Sequence, residues 1–193
     1  MFLPGMAPKL PPVPADGAAG NEWYTPQWFL DWLGKIALDP CYSHASHVHA
    51  ACTIDLRRGE DGLTYEWDGV LRRAGNPPGI VFVNPPFDNT GQWLYKCRIE
   101  ASRCGRVVVA LVPALPGDGP WHSDVWDYAP VVGYVARRMD FVNPDGRVEQ
   151  KGRGHAIILY GPEAEVRRTY KEIAQRARHH DQAPVWTQRL LVA

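Results

Sequence analysis

Ile80-Val81-Phe82-Val83-Asn84-Pro85-Pro86-Phe87 joins four consecutive apolar residues to a turn that carries two prolines. A short run of β-branched and aromatic residues without a polar interruption is typical of a strand that is buried on both faces. Proline lacks a backbone N–H and cannot continue a strand ladder, so the strand is predicted to end at Asn84. Strands of this kind belong to sheets that helices cover on both sides. The segment therefore predicts an α/β fold.

Further elements recur on either side of this segment. Four more apolar runs are present: Ile36 to Leu38 before Asp39-Pro40, Val107 to Val112 before Pro113, Val131 to Val135, and Ala156 to Tyr160. Apolar residues at helical spacing predict helices at Pro26 to Lys35, at Thr90 to Arg103 and from Pro162 onward. The order strand, helix, strand predicts a mixed, mostly parallel sheet with helices on both faces. The last two apolar runs flank the turn signal Asn143-Pro144-Asp145-Gly146 and predict a C-terminal antiparallel hairpin.

The composition favours a single domain without a strong global charge. The chain has 193 residues, 45% of them hydrophobic, and 21 Lys and Arg balance 21 Asp and Glu. We expect a Pro-, Gly- and Ala-rich disordered leader at 1–20, one domain at 21–180 and a tail at 181–193. Four cysteines without a secretory signal are expected to be reduced thiols in a soluble, cytoplasmic protein. Any nucleic-acid binding must then depend on a local basic patch.

The tetrapeptide Asn84-Pro85-Pro86-Phe87 has a specific chemical use at the end of a strand. The prolines fix an extended turn, which holds the Asn84 amide oxygen and the Pro85 carbonyl in a constant relation. Two such acceptors can bind both N–H groups of a planar amine and stabilise the positive charge that develops when its nitrogen is alkylated. Phe87 offers an apolar face on which a flat ring can stack. The simpler interpretation is an ordinary turn after a strand.

A set of ordered motifs favours the first interpretation. They are Glu22-Trp23-Tyr24-Thr25-Pro26, Leu38-Asp39-Pro40-Cys41, Asp61-Gly62-Leu63, Trp67, Val83-Asn84-Pro85-Pro86-Phe87, Trp93, Leu111-Val112-Pro113-Ala114 and Arg137-Arg138-Met139-Asp140-Phe141. In this order the chain resembles the phage-type DNA N6-adenine methyltransferases. The resemblance implies a Rossmann-like methyltransferase fold, S-adenosylmethionine as the methyl donor, and duplex DNA with a flipped adenine as the substrate. Asn84, Pro85, Pro86 and Phe87 would then be catalytic.

The same resemblance implies where the methyl donor binds. Tyr24, Thr25 and Pro26 would border its methionine end, and Asp39, Pro40 and Cys41 would form the first cofactor loop. Asp61 and Leu63 would flank its adenine. The alternatives without a role in binding are that Trp23 and Tyr24 are ordinary core aromatics and that Asp61-Gly62 is a surface turn. Two departures from the wider pattern are the absence of a glycine-rich first loop and Phe87 in place of the commoner Tyr.

Two other groups of residues invite a functional interpretation. Arg137 and Arg138, followed by Arg147, Lys151 and Arg153, are candidate DNA phosphate ligands, or a guard at a sheet edge. The loop Pro116 to Tyr128 is a second candidate for DNA contact. A dense set of metal-capable residues, Cys41, His44, His47, His49 and Cys52, matches no standard zinc spacing, so no metal site is expected.

Three alternatives to adenine methylation remain open from the residues. Cytosine N4 and the glutamine side-chain amide are also planar nitrogens that the tetrapeptide can bind. The third alternative is a non-catalytic nucleic-acid-binding module on a methyltransferase fold. The short leader disfavours the glutamine enzymes, for which a substrate-docking domain is expected before the fold.

Overall fold

A seven-stranded mixed sheet forms the centre of the molecule. The computed structural model describes residues 24–44, 46–142, 148–150 and 154–188. The strands in these ranges are β1 (Ile36–Tyr42), β2 (Ala50–Asp55), β3 (Ile80–Val83), β4 (Val108–Pro113), β5 (Val131–Val135), β6 (Asp140–Val142), β7 (Val148–Gln150), β8 (His155–Tyr160) and β9 (Pro184–Gln188). The α-helices are α1 (Gln27–Leu33), α2 (Trp67–Arg73), α3 (Thr90–Cys104) and α4 (Glu163–Ala177).

The order of the sheet is β2-β1-β3-β4-β8-β5-β9. The pairs β1–β2, β1–β3 and β3–β4 are parallel, whereas β8 is antiparallel to both β4 and β5, and β9 is antiparallel to β5. Strands β1 to β5 therefore all run in one direction, and their carboxyl ends lie along one edge of the sheet. We call this edge the carboxyl edge. The expected mixed sheet, with the antiparallel pair β5–β8 near the C-terminus, is confirmed.

The strand residues alternate between two apolar layers, one on each face of the sheet. Residues such as Val81, Val108 and Ile158 pack with α2, α3 and the π-helical turn Trp121–Trp126. Their neighbours in sequence, such as Phe82 and Val109, pack with α1 and α4 on the opposite face. This alternation is the period of a strand, so helices cover both faces as expected.

Several elements differ from the sequence-based expectation. Strand β1 does not end at Asp39-Pro40 but continues to Tyr42, with a shift of the β1–β2 register between Asp39 and Tyr42. Strand β2 and helix α2 were not predicted, and a separate two-stranded ribbon, β6–β7, lies between β5 and β8 in sequence. The predicted leader 1–20 and the turn Asn143 to Gly146 lie outside the described residues.

The C-terminal segment also contributes to the sheet. Residues 184–188, which fall in the expected tail, form β9 and pair with β5 over its whole length. Strand β9 is a short edge strand in which apolar and polar residues do not alternate regularly, so its sequence alone gives a weak signal. Within the described residues, no helix is both long and apolar enough to cross a membrane.

Candidate active site

Asn84 follows β3 at the carboxyl edge, and its side chain is held from one end. Its Nδ2 donates to Oγ1 of Thr25, 2.9 Å away, and Thr25 is only 3% exposed. Its Oδ1 is buried and has no hydrogen-bond partner among the described residues. A buried acceptor without a partner costs about 1–3 kcal/mol. The geometry therefore leaves one fixed amide oxygen available to an N–H donor.

Phe87, three residues after Asn84, begins a 3₁₀ turn, Phe87–Asn89, that leads into α3. The ring is 37% exposed, which is unusual for a phenylalanine. Its inner side meets Phe141 of β6 edge-on, with ring centroids 6.3 Å apart, and lies 5.7 Å from the ring of His155. Its accessible side is therefore suited to stacking a planar ring.

The residues before α1 are joined to the same edge through β6. The Tyr24 N–H donates to the Val142 carbonyl at 2.8 Å, and the Tyr24 ring packs 5.5 Å from that of His47. Pro26 follows as the residue that precedes α1. Of the three residues predicted to border the cofactor, Thr25 thus contacts the tetrapeptide directly, and Tyr24 anchors the segment.

Asp39, which is buried, and Cys41, which is partly buried, form a polar pair beside the tetrapeptide. Asp39 is 3% exposed, and its Oδ1 accepts from the Cys41 N–H at 3.0 Å. Burial raises the pKa of Asp39 to about 7, and hydrogen bonds with Cys41 only partly oppose this. Burial, followed by the charge of Asp39, raises the pKa of the Cys41 thiol well above its ordinary value, while a hydrogen bond from the Asn84 backbone opposes that rise. The Asp39-Pro40-Cys41 motif and the Asn84 tetrapeptide are therefore in contact.

The Asp61 loop packs against the Asp39 loop through a glycine. An added Cβ on Gly62 would lie 1.9 Å from the Pro40 carbonyl oxygen, so no larger residue fits without a backbone shift. The Gly62 carbonyl accepts from the Trp67 indole at 2.8 Å, and Asp61 Oδ1 accepts from the Leu63 N–H at 2.9 Å. The turn at Asp61-Gly62 is thus a packed part of the site region and not a free surface turn.

Sequence reasoning missed two polar residues at the carboxyl edge. Asp55 ends β2, opposite Tyr42 of β1, and its side chain accepts from the Arg57 N–H. His155 begins β8, opposite Pro113, and is only 1% exposed. Burial lowers the pKa of His155 to about 4, which keeps the ring neutral at pH 7. The sequence offered a signal only for His155, a polar residue directly before the apolar run Ala156 to Tyr160, because the strand that Asp55 ends was not predicted.

The predicted DNA ligands are only partly described. Arg137 and Arg138 follow β5, so they also lie at the carboxyl edge, and both are exposed. Arg137 pairs with Asp181 at 3.4 Å, but both side chains are mostly exposed, so solvent screens this pair. Arg147, Lys151 and Arg153 lie outside the described residues.

The loop Pro116 to Tyr128 includes the π-helical turn and presents exposed aromatic rings. Tyr128 is 53% exposed, and the Arg98 guanidinium lies 4.1 Å from the centre of its ring. Asp124 holds the same guanidinium through a 3.0 Å ion pair. This loop stays a candidate for DNA contact.

The metal-capable residues do not gather at one point. Cys41 faces the tetrapeptide, whereas the Cys52 thiol donates to the Ala37 carbonyl and His47 packs on Tyr24. Across the described ranges, no three His, Cys, Asp or Glu side chains are close enough to hold a metal ion.

Two open clefts lie away from the tetrapeptide. A cleft of about 610 Å³ lies along β2 beside Tyr42 and Arg58, and one of about 510 Å³ lies between Gly79 and α4. Neither is lined by the tetrapeptide or by Asp39. The end of β1, the turn after β3 and the segment after β5 that includes Phe141 converge here, and this convergence, not the depth of the surface, marks the candidate site.

The fold and these converging loops define a Rossmann-like methyltransferase. Residues 15–182 match the family model described as DNA N-6-adenine-methyltransferase (Dam). The chain therefore belongs to this family, and it is an adenine-specific DNA methyltransferase. A search of curated proteins gave no match.

Proposed function

We propose that the protein transfers the methyl group of S-adenosylmethionine to the N6 amine of an adenine that has left the DNA helix, with Asn84 and Pro85 binding the amine. One observation carries this proposal. Asn84 Oδ1 is buried without a partner among the described residues, while its Nδ2 is fixed on Thr25. In this orientation Nδ2 donates to Thr25, and the position left free is the acceptor oxygen.

The chemistry requires such acceptors because the adenine amine is a weak nucleophile whose lone pair is delocalised into the ring. Two acceptors favour a tetrahedral nitrogen and stabilise its developing positive charge. S-adenosylmethionine supplies an electrophilic methyl group, whose bond to sulfur breaks as the new bond to nitrogen forms. Asn84 Oδ1 and the Pro85 carbonyl hold the amine during attack without acting as a general base. The extra proton then leaves the product nitrogen to solvent.

Base flipping is supported by the position of Phe87. Enzymes that act on a base in a duplex take it out of the stack, at a cost of a few kcal/mol. Phe87 is exposed and lies three residues after Asn84, so we infer that a base stacked on this ring brings its amine toward Asn84. Since Oδ1 is inaccessible to solvent here, we infer that the side chains around it move as the base enters.

The loops around Asp39 fit the methyl donor by their chemistry. Asp39 is a buried carboxylate, and no described Lys or Arg pairs with it. An ammonium or hydroxyl donor from the ligand would supply the missing partner. We assign Thr25, Asp39 and Asp61 to polar contacts with the cofactor, and Tyr24, Pro26, Pro40, Cys41 and Leu63 to the surrounding wall.

DNA contact is assigned to the basic residues after β5. Arg137 and Arg138 are exposed at the carboxyl edge, which is the edge that a flipped base must approach. Arg147, Lys151 and Arg153 continue this basic stretch in the sequence. With equal numbers of acidic and basic residues overall, such a local patch is the available source of phosphate binding.

The test is transfer of labelled methyl from S-adenosylmethionine to unmethylated DNA, followed by digestion to nucleosides. The wild type should yield N6-methyladenine, and Asn84→Ala should lower the rate by about 10²–10³-fold, as loss of a single preorganised group does in other active sites. Asn89→Ala is the matched control because Asn89 is exposed, is five residues away and makes no side-chain cap. Equal rates for the wild type and Asn84→Ala would contradict the proposal, and N4-methylcytosine would change the target base.

A further inference from the structure

His155 is the second polar side chain at the carboxyl edge that lacks partners. It is 1% exposed, and neither Nδ1 nor Nε2 has a hydrogen-bond partner among the described residues. Its ring lies 4.8 Å from that of Phe141 and 5.7 Å from that of Phe87. The histidine therefore packs beside the ring on which the base is proposed to stack.

A histidine with a purely structural role would be expected to pair its nitrogens, since most buried polar side-chain atoms have partners. Tyr160, at the other end of β8, follows this rule because its hydroxyl donates to the Asp124 carbonyl at 2.9 Å. The described part of the chain has four unpartnered buried side-chain N or O atoms, and three of them belong to Asn84 and His155. This concentration at one edge points to a ligand that supplies the missing partners.

The chemistry of the two residues is complementary to an aminopurine. Asn84 Oδ1 only accepts, whereas a neutral imidazole has one N–H donor and one acceptor nitrogen. Burial lowers the pKa of His155 and keeps it in this neutral form. Adenine carries N–H donors on its amine and acceptor nitrogens in the ring, N1 and N7, on either side of that amine.

We propose that His155 recognises the target base, its imidazole N–H donating to a ring nitrogen of adenine while Asn84 Oδ1 accepts from the adjacent amine. This inference rests on the proposed function and adds a base-recognising residue to it. Phe141 and Phe87 both pack against the imidazole and hold it in place. A base that presents an N–H in place of the ring acceptor would meet the imidazole donor with another donor.

The test uses adenine analogues that lack one ring nitrogen. The positions that the wild type methylates are first mapped in unmethylated DNA, and synthetic duplexes then carry 1-deazaadenine or 7-deazaadenine at that position. Wild-type kcat/KM should fall about tenfold on one of the two analogues, the usual effect of one lost hydrogen bond. His155→Phe, which keeps an aromatic ring packed against Phe87 and Phe141, should be about tenfold slower on adenine and insensitive to the same analogue.

The comparison separates recognition from structure and from intrinsic reactivity. An analogue that only changes the reactivity of the amine would slow the wild type and His155→Phe by the same factor, and that result would overturn the proposal. A kcat/KM of His155→Phe on adenine equal to that of the wild type would overturn it too. His155→Asn retains a side-chain N–H, so it should recover part of the rate on adenine and part of the analogue sensitivity, and it replaces His155→Phe if that variant does not fold. Absence of N6-methyladenine from the wild type would instead refute the proposed function, and the role of His155 with it.

Discussion

Two buried carboxylates in different regions of the molecule have opposite surroundings: one has cationic partners and the other has none among the described residues. Glu100 lies on what we call the α2–α3 flank, formed by helices α2 and α3, and Asp39 lies at the carboxyl edge. Glu100 is fully buried and accepts from the Trp67 N–H at 3.1 Å and from Lys96 at 2.9 Å, with Arg103 at 3.3 Å. Asp39 has hydrogen bonds with Cys41 and no cationic partner among the described residues.

The difference indicates what each carboxylate is for. A buried charge that is paired and hydrogen-bonded holds elements together, and Glu100 joins α3 to the start of α2 in this way. A buried charge without a counter-charge costs stability, so its retention is expected where a ligand supplies the partner. The flank is therefore interpreted as structure and the carboxyl edge as a binding site.

The largest effect is expected from Glu100→Ala. Its removal leaves the buried Trp67 N–H without an acceptor and Lys96 without its carboxylate, so the free energy of unfolding should fall by about 3–5 kcal/mol. Methyl transfer per folded molecule should stay within about twofold. Urea unfolding measures the first quantity, with Glu163→Ala as control, because the pair of Glu163 with Arg167 is exposed on α4. If Glu100→Ala lost activity without losing stability, the interpretation of the flank as structure and the carboxyl edge as a binding site would be wrong.

Asp39→Asn should have the opposite profile. It keeps an acceptor for the Cys41 N–H but removes the charge, so affinity for S-adenosylmethionine should fall about 10- to 100-fold by calorimetry. The pKa of Asp39 is about 7 in the folded protein against 3.8 ordinarily, so the folded state holds a proton that the unfolded state has lost between pH 4 and 7. Asp39 therefore makes stability fall as pH rises through that window.

Asp39→Asn also tests the direction in which Asp39 makes stability change with pH. The pKa of His155 is about 4, below its ordinary 6.5, so His155 makes stability rise with pH between 4 and 6.5 and partly masks Asp39 in the wild type. Removing Asp39 should expose that rise in urea unfolding at pH 5 and pH 7. An unchanged pH profile in Asp39→Asn would show that the carboxylate is not desolvated.

Two glycines, one at the carboxyl edge and one on the α2–α3 flank, allow the same comparison with a smaller expected change in stability. Gly62→Ala at the carboxyl edge should lower the free energy of unfolding by about 1–3 kcal/mol, since its Cβ would meet the Pro40 carbonyl. Gly69→Ala in α2 has only the Arg73 guanidinium within 4 Å and should raise stability by up to about 1 kcal/mol through helix propensity. Thermal unfolding of the two variants side by side provides the measurement, and equal shifts would refute the close packing of the two loops.

The smallest effect is expected from the arginine pairs. Arg137→Ala with Arg138→Ala should weaken DNA binding a few-fold and reduce the slope of log affinity against log salt by about 2, close to one per phosphate contact. Arg72→Ala with Arg73→Ala removes the same charge from the α2–α3 flank and should leave the slope unchanged. Fluorescence anisotropy over a salt series compares them, and an equal reduction by both pairs would mean that net charge alone matters.

Local signals in the sequence predicted most of the sheet. Strands β3, β4, β5 and β8 and helices α1, α3 and α4 carry either dense apolar runs or clear helical periods, and they were predicted within a few residues. Strands β2 and β9 were missed because edge strands are half-exposed and their mixed composition gives no distinct period. The extension of β1 was missed because proline normally ends a strand, whereas Pro40 lies at a shift in register.

Part of the candidate site could likewise be predicted from the sequence, and part of it could not. The sequence by itself determined the Asn84 tetrapeptide, the Asp39 and Asp61 motifs and the family, because each is a short contiguous pattern whose chemistry depends on neighbouring residues. Only the tertiary structure decided which polar atoms are satisfied. Asn84 Oδ1 and the His155 nitrogens are unpartnered, and Glu100 is fully partnered, because residues from distant parts of the chain do or do not reach them. Hydrogen-bond satisfaction is a property of three-dimensional neighbours, so no local pattern in the sequence records it.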